Sequence, residues 1–155
     1  MTQADRAPDI SDAALAFVLL RPTPLLNVTL RQHWSARRRT CVALAWEIKV
    51  ALGVRRPPAP FPRARLRIER YSIRTPDYDG MVGGYKALID CLLPYHPKRR
   101  PYGLDVIADD NPGVLVADYP PPFLVRRAAE QRTVVVIVPL PVEALDPPAS
   151  PHPQT

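Results

Sequence analysis

A chain of 155 residues that is 46% apolar is long enough for one domain around one core, and no run in it approaches the roughly 20 apolar residues of a membrane span. Its three His and two widely separated Cys fit no zinc-ligand spacing, so Cys41 and Cys91 read as buried free thiols of a protein kept in a reducing cytoplasm. A formal charge of +6 and a pI near 9.7 leave two readings open, a polyanionic partner or an ordinary arginine-rich surface.

In chain order, residues 1–10 read as a disordered end. "AALAFVLL" at 13–20 is apolar but short and follows no basic region, so it is not expected to be a signal peptide. Residues 14–21 predict a strand, which "PTPLLN" turns. Residues 35–52 predict a helix stopped by Gly53. Cys41, Leu44, Ala45, Ile48 and Leu52 form its core stripe at helical spacing. Val42, Trp46 and Val50 lie on the opposite side. They imply either a helix buried on both sides or a self-association face.

Residues 64–73 predict a strand with Leu66 and Ile68 inward and Arg65, Arg67 and Glu69 on a solvated or ligand-facing side. A second helix is expected over 80–93, with Met81, Tyr85, Leu88, Ile89 and Leu92 as its apolar stripe. The link "PYHPKRRPYG" and the stretch "LDVIADDNP" follow. Residues 113–122 suggest no element. Residues 123–128 and 133–140 predict strands, and the β-branched run of the last suits a central strand covered on both faces. The 21 prolines mostly punctuate, and 143–155 reads as a Pro-rich disordered tail, leaving 11–142 as a single domain. The expected fold is α+β, a small mixed sheet with two main helices packed on it.

Five of the 15 acidic residues stand in two short stretches: Asp77, Asp79 and Asp90 in "PDYDGMVGGYKALIDCLL", Asp109 and Asp110 in "VIADDNP". If the second helix runs unbroken from Asp79, a 100° projection puts Asp79, Gly83, Lys86 and Asp90 in one sector. If its glycines loosen the first turn, Asp79 is a cap instead. Asp90 reads equally as an i, i+4 partner of Lys86 and as a ligand. Carboxylates drawn together need a cation between them, and an all-oxygen set suits Mg²⁺ or Mn²⁺. "GMVGG" lacks the spacing and ending of a P-loop, so no nucleotide cofactor is expected.

The order strand, "DYD" (77–79), "KALIDCL" (86–92) and "VIADD" (106–110) resembles the RusA-type Holliday junction resolvases. The stretch "RPTPLLNVTLRQHW" is similar to that family's opening strand and loop. The resemblance spans about residues 15–140, with sharp motifs over fewer than 30 positions. It implies a homodimeric, Mg²⁺-dependent endonuclease that cuts four-way DNA junctions by paired strand breaks. It maps the metal-binding aspartates onto Asp77, Asp79 and Asp110, with Asp109 beside them, and the essential lysine onto Lys86. Three departures are visible. Gly80 replaces an Asn, about three extra residues precede Lys86, and the interval to the Asp pair is longer. A non-catalytic DNA-binding descendant and another Mg²⁺-dependent phosphoesterase are the alternatives.

A junction binder needs phosphate contacts. Arg31, His33, Arg37, Arg38 and Arg39 cluster near the first helix, and Lys98, Arg99 and Arg100 precede the second Asp pair. Arg65, Arg67 and Arg70 line the strand before the first pair. Arginines in a first helical turn oppose the helix dipole, which implies either an outside anion or a helix that starts near Thr40.

Overall fold

The computed structural model describes residues 14–142; the two expected disordered ends lie outside the described residues. Five strands form one mixed sheet: β1 (Leu15–Leu19), β2 (Ala64–Ser72), β3 (Leu115–Asp118), β4 (Phe123–Leu124) and β5 (Arg132–Pro139). The order is β1-β5-β2-β3, with β4 pairing the far end of β2. β5 is antiparallel to both neighbours, whereas β3 and β4 run parallel to β2. The helices are α1 (Leu26–Leu30), α2 (Trp34–Leu52), α3 (Tyr78–Gly84) and α4 (Lys86–Leu92). This is the expected α+β fold.

One row across the sheet shows how the core is built. Phe17 pairs with Val135, and Val135 with Ile68, and all three are buried. Their side chains meet Leu44 and Ile48 of α2 and Leu88 of α4 in one apolar cluster. The next row, Val18, Val134 and Glu69, points to the other side. There Val18 stays 42% exposed and Val136 lies outside the cluster. The expectation that the last strand is covered on both faces holds in part: on this second face Val136 is buried at 6% exposure and Val134 and Val138 are half-buried. β5 is interior to the sheet, but the core packs on one of its faces.

The expected second helix is two short helices meeting at Tyr85. Gly83 and Gly84 explain the tight packing before the break. A Cβ on Gly83 would fall 2.6 Å from Leu26 Cδ2, and one on Gly84 would collide with the Pro24 carbonyl oxygen. These glycines let α3 sit backbone-close to the 24–26 segment, where α1 begins. Two helical glycines are individually unfavourable by about 1 kcal/mol each. Met81, Tyr85, Leu88 and Leu92 are buried as expected, and Ile89 packs against the core partly exposed.

α1 occupies part of what reads as turn and loop in the sequence. β3 falls in the stretch that suggested no element. Cys41 and Cys91 are free and buried; the Cys91 thiol donates to the Cys41 carbonyl at 3.4 Å and so joins α4 to α2. Among the described residues no helix is long and apolar enough to cross a membrane.

The Val42, Trp46 and Val50 stripe is not buried. These side chains are 52%, 66% and 65% exposed, so the reading of a helix buried on both sides is corrected.

Candidate active site

Lys86 opens α4 and reaches two carboxylates. Its Nζ lies 2.9 Å from Asp90 Oδ1, one helical turn on, and 2.9 Å from Asp110 Oδ2. The i, i+4 pair is local helix geometry. The second contact depends on the fold. Val106 and Ile107 are fully buried, and both donate their N–H groups to the Leu92 carbonyl at 3.0 Å. The apolar "VI" thereby pins the following Asp pair to the end of α4.

Within that loop the two aspartates have different work. Asp109 accepts from the Asp110 N–H at 2.7 Å and from Asn111 Nδ2 at 2.8 Å, so both its oxygens order the turn. Asp110 is left to face Lys86. The Lys86 hydrogen bond holds the Asp110 carboxyl below its ordinary range, against the smaller opposing effect of burial. The Lys86 ammonium is pushed up: burial alone would lower it, but the bonds to Asp90 and Asp110 together outweigh that.

Asp77 is the N-cap of α3. Its Oδ2 accepts from the Gly80 N–H at 2.7 Å, in extended backbone just before the first turn. Asp79 lies within that turn, exposed. The cap is thus Asp77 rather than Asp79. The break at Tyr85 also removes the unbroken helix on which the shared sector of Asp79 and Lys86 depended. Two tyrosines missed in the sequence tie this edge together. Tyr78 Oη donates to the Tyr119 carbonyl at 2.6 Å, and the Tyr119 ring meets Tyr85 edge-on at 5.2 Å. Burial, then the neighbouring Tyr78 and Asp110, push the Tyr119 phenol up, so Tyr119 joins the start of α3 to the surroundings of Asp110. Tyr78 stands inside the "DYD" motif, which drew notice only for its carboxylates, and Tyr119 lies in the stretch that suggested no element.

The carboxylate donors are chemically suited to a hard cation. They are not assembled into a ready cage: among the described residues no three His, Cys, Asp or Glu side chains are gathered to hold a metal ion. A cation there would compete with Gly80 for Asp77 and with Lys86 for Asp110.

On the other side of Lys86 opens a cleft of about 410 Å³. Arg37 and Arg38 of α2, Arg99 of the link, and Lys86 and Asp90 of α4 all line it, with apolar walls from Leu26, Leu30 and Trp34. The fold thus joins the two expected basic clusters, though not completely. Arg31, His33, Lys98 and Arg100 do not line the cleft, and Arg39 lies beside a separate hollow on the outer side of α2.

Several basic residues have structural partners. His33 caps α2, its Nδ1 accepting from the Ser35 N–H at 3.3 Å, so the alternative of a start near Thr40 is corrected. Arg37 donates to the Thr29 and Leu30 carbonyls at 3.0 and 3.2 Å. Its charge therefore meets the negative end of α1. His96, unremarked in the sequence, accepts the Lys98 and Arg99 N–H groups at Nδ1 and shapes the basic link.

The three arginines of β2 do not act together. Arg67 pairs with Glu69 at 2.7 Å and Asp118 at 2.8 Å on the open face. Arg70 turns into the interior, donating to the Thr23 carbonyl, and burial lowers its guanidinium pKa. The chain matches no protein-family model, no curated protein and no solved structure.

Proposed function

We propose that this chain is a metal-dependent, structure-specific endodeoxyribonuclease of RusA type, resolving four-way DNA junctions in the cytoplasm. The observation that supports this best is Lys86 held between Asp90 and Asp110 beside a cation-lined cleft. Mg²⁺ or Mn²⁺, bound by Asp77, Asp79 and Asp110, would supply an activated water and stabilise the leaving oxygen. Lys86, which lines the cleft, would serve as a positive charge toward a phosphoryl group. Asp90 holds its stem end in place. Asp109, itself braced by Asn111, holds the backbone of Asp110.

A junction is close to two-fold symmetric, so a two-fold dimer presents one site to each of two strands. The exposed Val42, Trp46 and Val50 stripe supports a homodimer face on α2.

A second reading is a DNA-binding descendant without catalysis. It is favoured by the internal partners that Asp77, Asp109 and Asp110 already have.

The test is cleavage of synthetic four-way junctions, linear duplex and a small phosphodiester, with and without Mg²⁺, by native protein and Asp79→Asn. Paired junction nicks that vanish in the variant are expected. Binding without Mg²⁺-dependent cutting establishes the descendant, and equal cutting of all three substrates points to a general phosphoesterase.

A further inference from the structure

The cleft beside Lys86 has a composition that a phosphate-binding groove does not need. Its rim is cationic, yet its walls are Leu26, Leu30 and the indole of Trp34. Trp34 is 69% exposed, and the aromatic ring beside it, His33, meets it tilted at 43° and 5.4 Å. A volume of about 410 Å³ lies within the ~300–1,000 Å³ of pockets that enclose a small organic group.

We propose that this cleft receives an unpaired nucleotide of branched DNA, its base against Trp34 and its flanking phosphates on Arg38 and Arg99. The substrate class rests on the nuclease reading. The choice of an unpaired nucleotide rests on the cleft itself. Bases inside a duplex have both faces covered by their neighbours, so only an unstacked base offers its face to a tryptophan. Arg38 and Arg99 have no side-chain partner among the described residues, unlike Arg37, which is held by the carbonyls of α1. Asp90, the acidic group of the lining, is matched by Lys86, so the rim presents net positive charge to a strand. An apolar peptide would leave those guanidinium groups unmatched. The shared Lys86 wall puts a nucleotide in the cleft next to the phosphate that the active site would address.

The experiment is metal-free binding of three labelled DNAs: a four-way junction, a twelve-nucleotide single strand and a blunt duplex. The proteins are native, Trp34→Ala, Trp34→Phe and Arg38→Ala, each checked by thermal unfolding. Trp34→Ala is expected to weaken the junction and the single strand by roughly five- to a hundredfold, the range of one base–aromatic stack. The duplex is expected to change less than twofold, and Phe to restore most of the loss. Arg38→Ala is expected to reduce the salt dependence of single-strand binding. Equal losses on all three DNAs, or none on any, overturn the assignment. So does a mononucleotide that competes as well as the oligonucleotide. If native protein cuts no junction with Mg²⁺ yet shows this selective binding, the nuclease reading falls and the cleft assignment stands. Unchanged junction affinity and unchanged cutting in Trp34→Ala sink the cleft assignment alone.

Discussion

Lys86 and Asp110 stand 24 residues apart in sequence and 2.9 Å apart in space. The lowered Asp110 carboxyl follows mainly from this contact, the raised Lys86 ammonium from Asp90 and Asp110 together against burial, and the two signs define a pH window. A carboxyl lowered on folding contributes stability that is complete above its unfolded value, about 4, and is lost as pH falls through the folded one. An ammonium raised on folding contributes below its unfolded value, about 10.4, and the contribution is lost as pH rises through the folded one. The pair therefore contributes fully between these limits. Lys86 is 60% exposed and Asp110 37%, so the contribution stays under about 1 kcal/mol. Lys86→Met is expected to change the melting temperature little and to abolish junction cutting. In an NMR titration the Asp110 midpoint is expected to move upward in the variant. An unmoved midpoint refutes the contact.

Asp77 has a structural role that can be separated from a chemical one. Asn caps a helix as well as Asp does, whereas Ala does not. Asp77→Ala is expected to destabilise the fold by about 1 kcal/mol in urea titrations, and Asp77→Asn by much less. If Asp77 also binds metal, both variants lose Mg²⁺-dependent cutting. Asp77→Asn that keeps full activity would make the residue a cap only.

Gly84→Ala reverses the usual ranking of helix propensity. Alanine favours a helix, but here its methyl would strike the Pro24 carbonyl. The variant is expected to be less stable by about 1–3 kcal/mol, the usual cost of overpacking. A urea midpoint equal to or above the native value would show that α3 does not pack this closely on the 24–26 segment.

Trp46→Asp tests the dimer face. Trp46 is 66% exposed, so the folded monomer should tolerate the change within about 0.5 kcal/mol. Sedimentation is expected to show a dimer for native protein and a monomer for the variant. The same mass for both would remove this stripe from the interface.

Much of the fold was legible because the signals are local. The α2 stripe from Cys41 to Leu52, the alternation over Leu66 and Ile68, and the Lys86–Asp90 pair are read from spacing within one element, where geometry is set by the backbone repeat. α1 and β3 were not legible, being four or five residues long and held by neighbours distant in sequence. The site divides in the same way. Asp77, Asp79, Lys86 and Asp110 could be nominated from their pattern, but a pattern does not say which oxygen is already taken.

By itself, then, the sequence determined the α+β class, the long helix and its two stripes, the free thiols and the roster of charged residues. Those properties depend on side-chain type and on periods of a few residues. Only the tertiary structure decided that Asp110 rather than Asp109 meets Lys86, that the second helix breaks at Tyr85, that Arg70 turns inward, and that Arg38 and Arg99 share a cleft with Trp34. Each of these depends on which distant segments press against one another, and packing of that kind leaves no mark on the spacing of neighbouring residues.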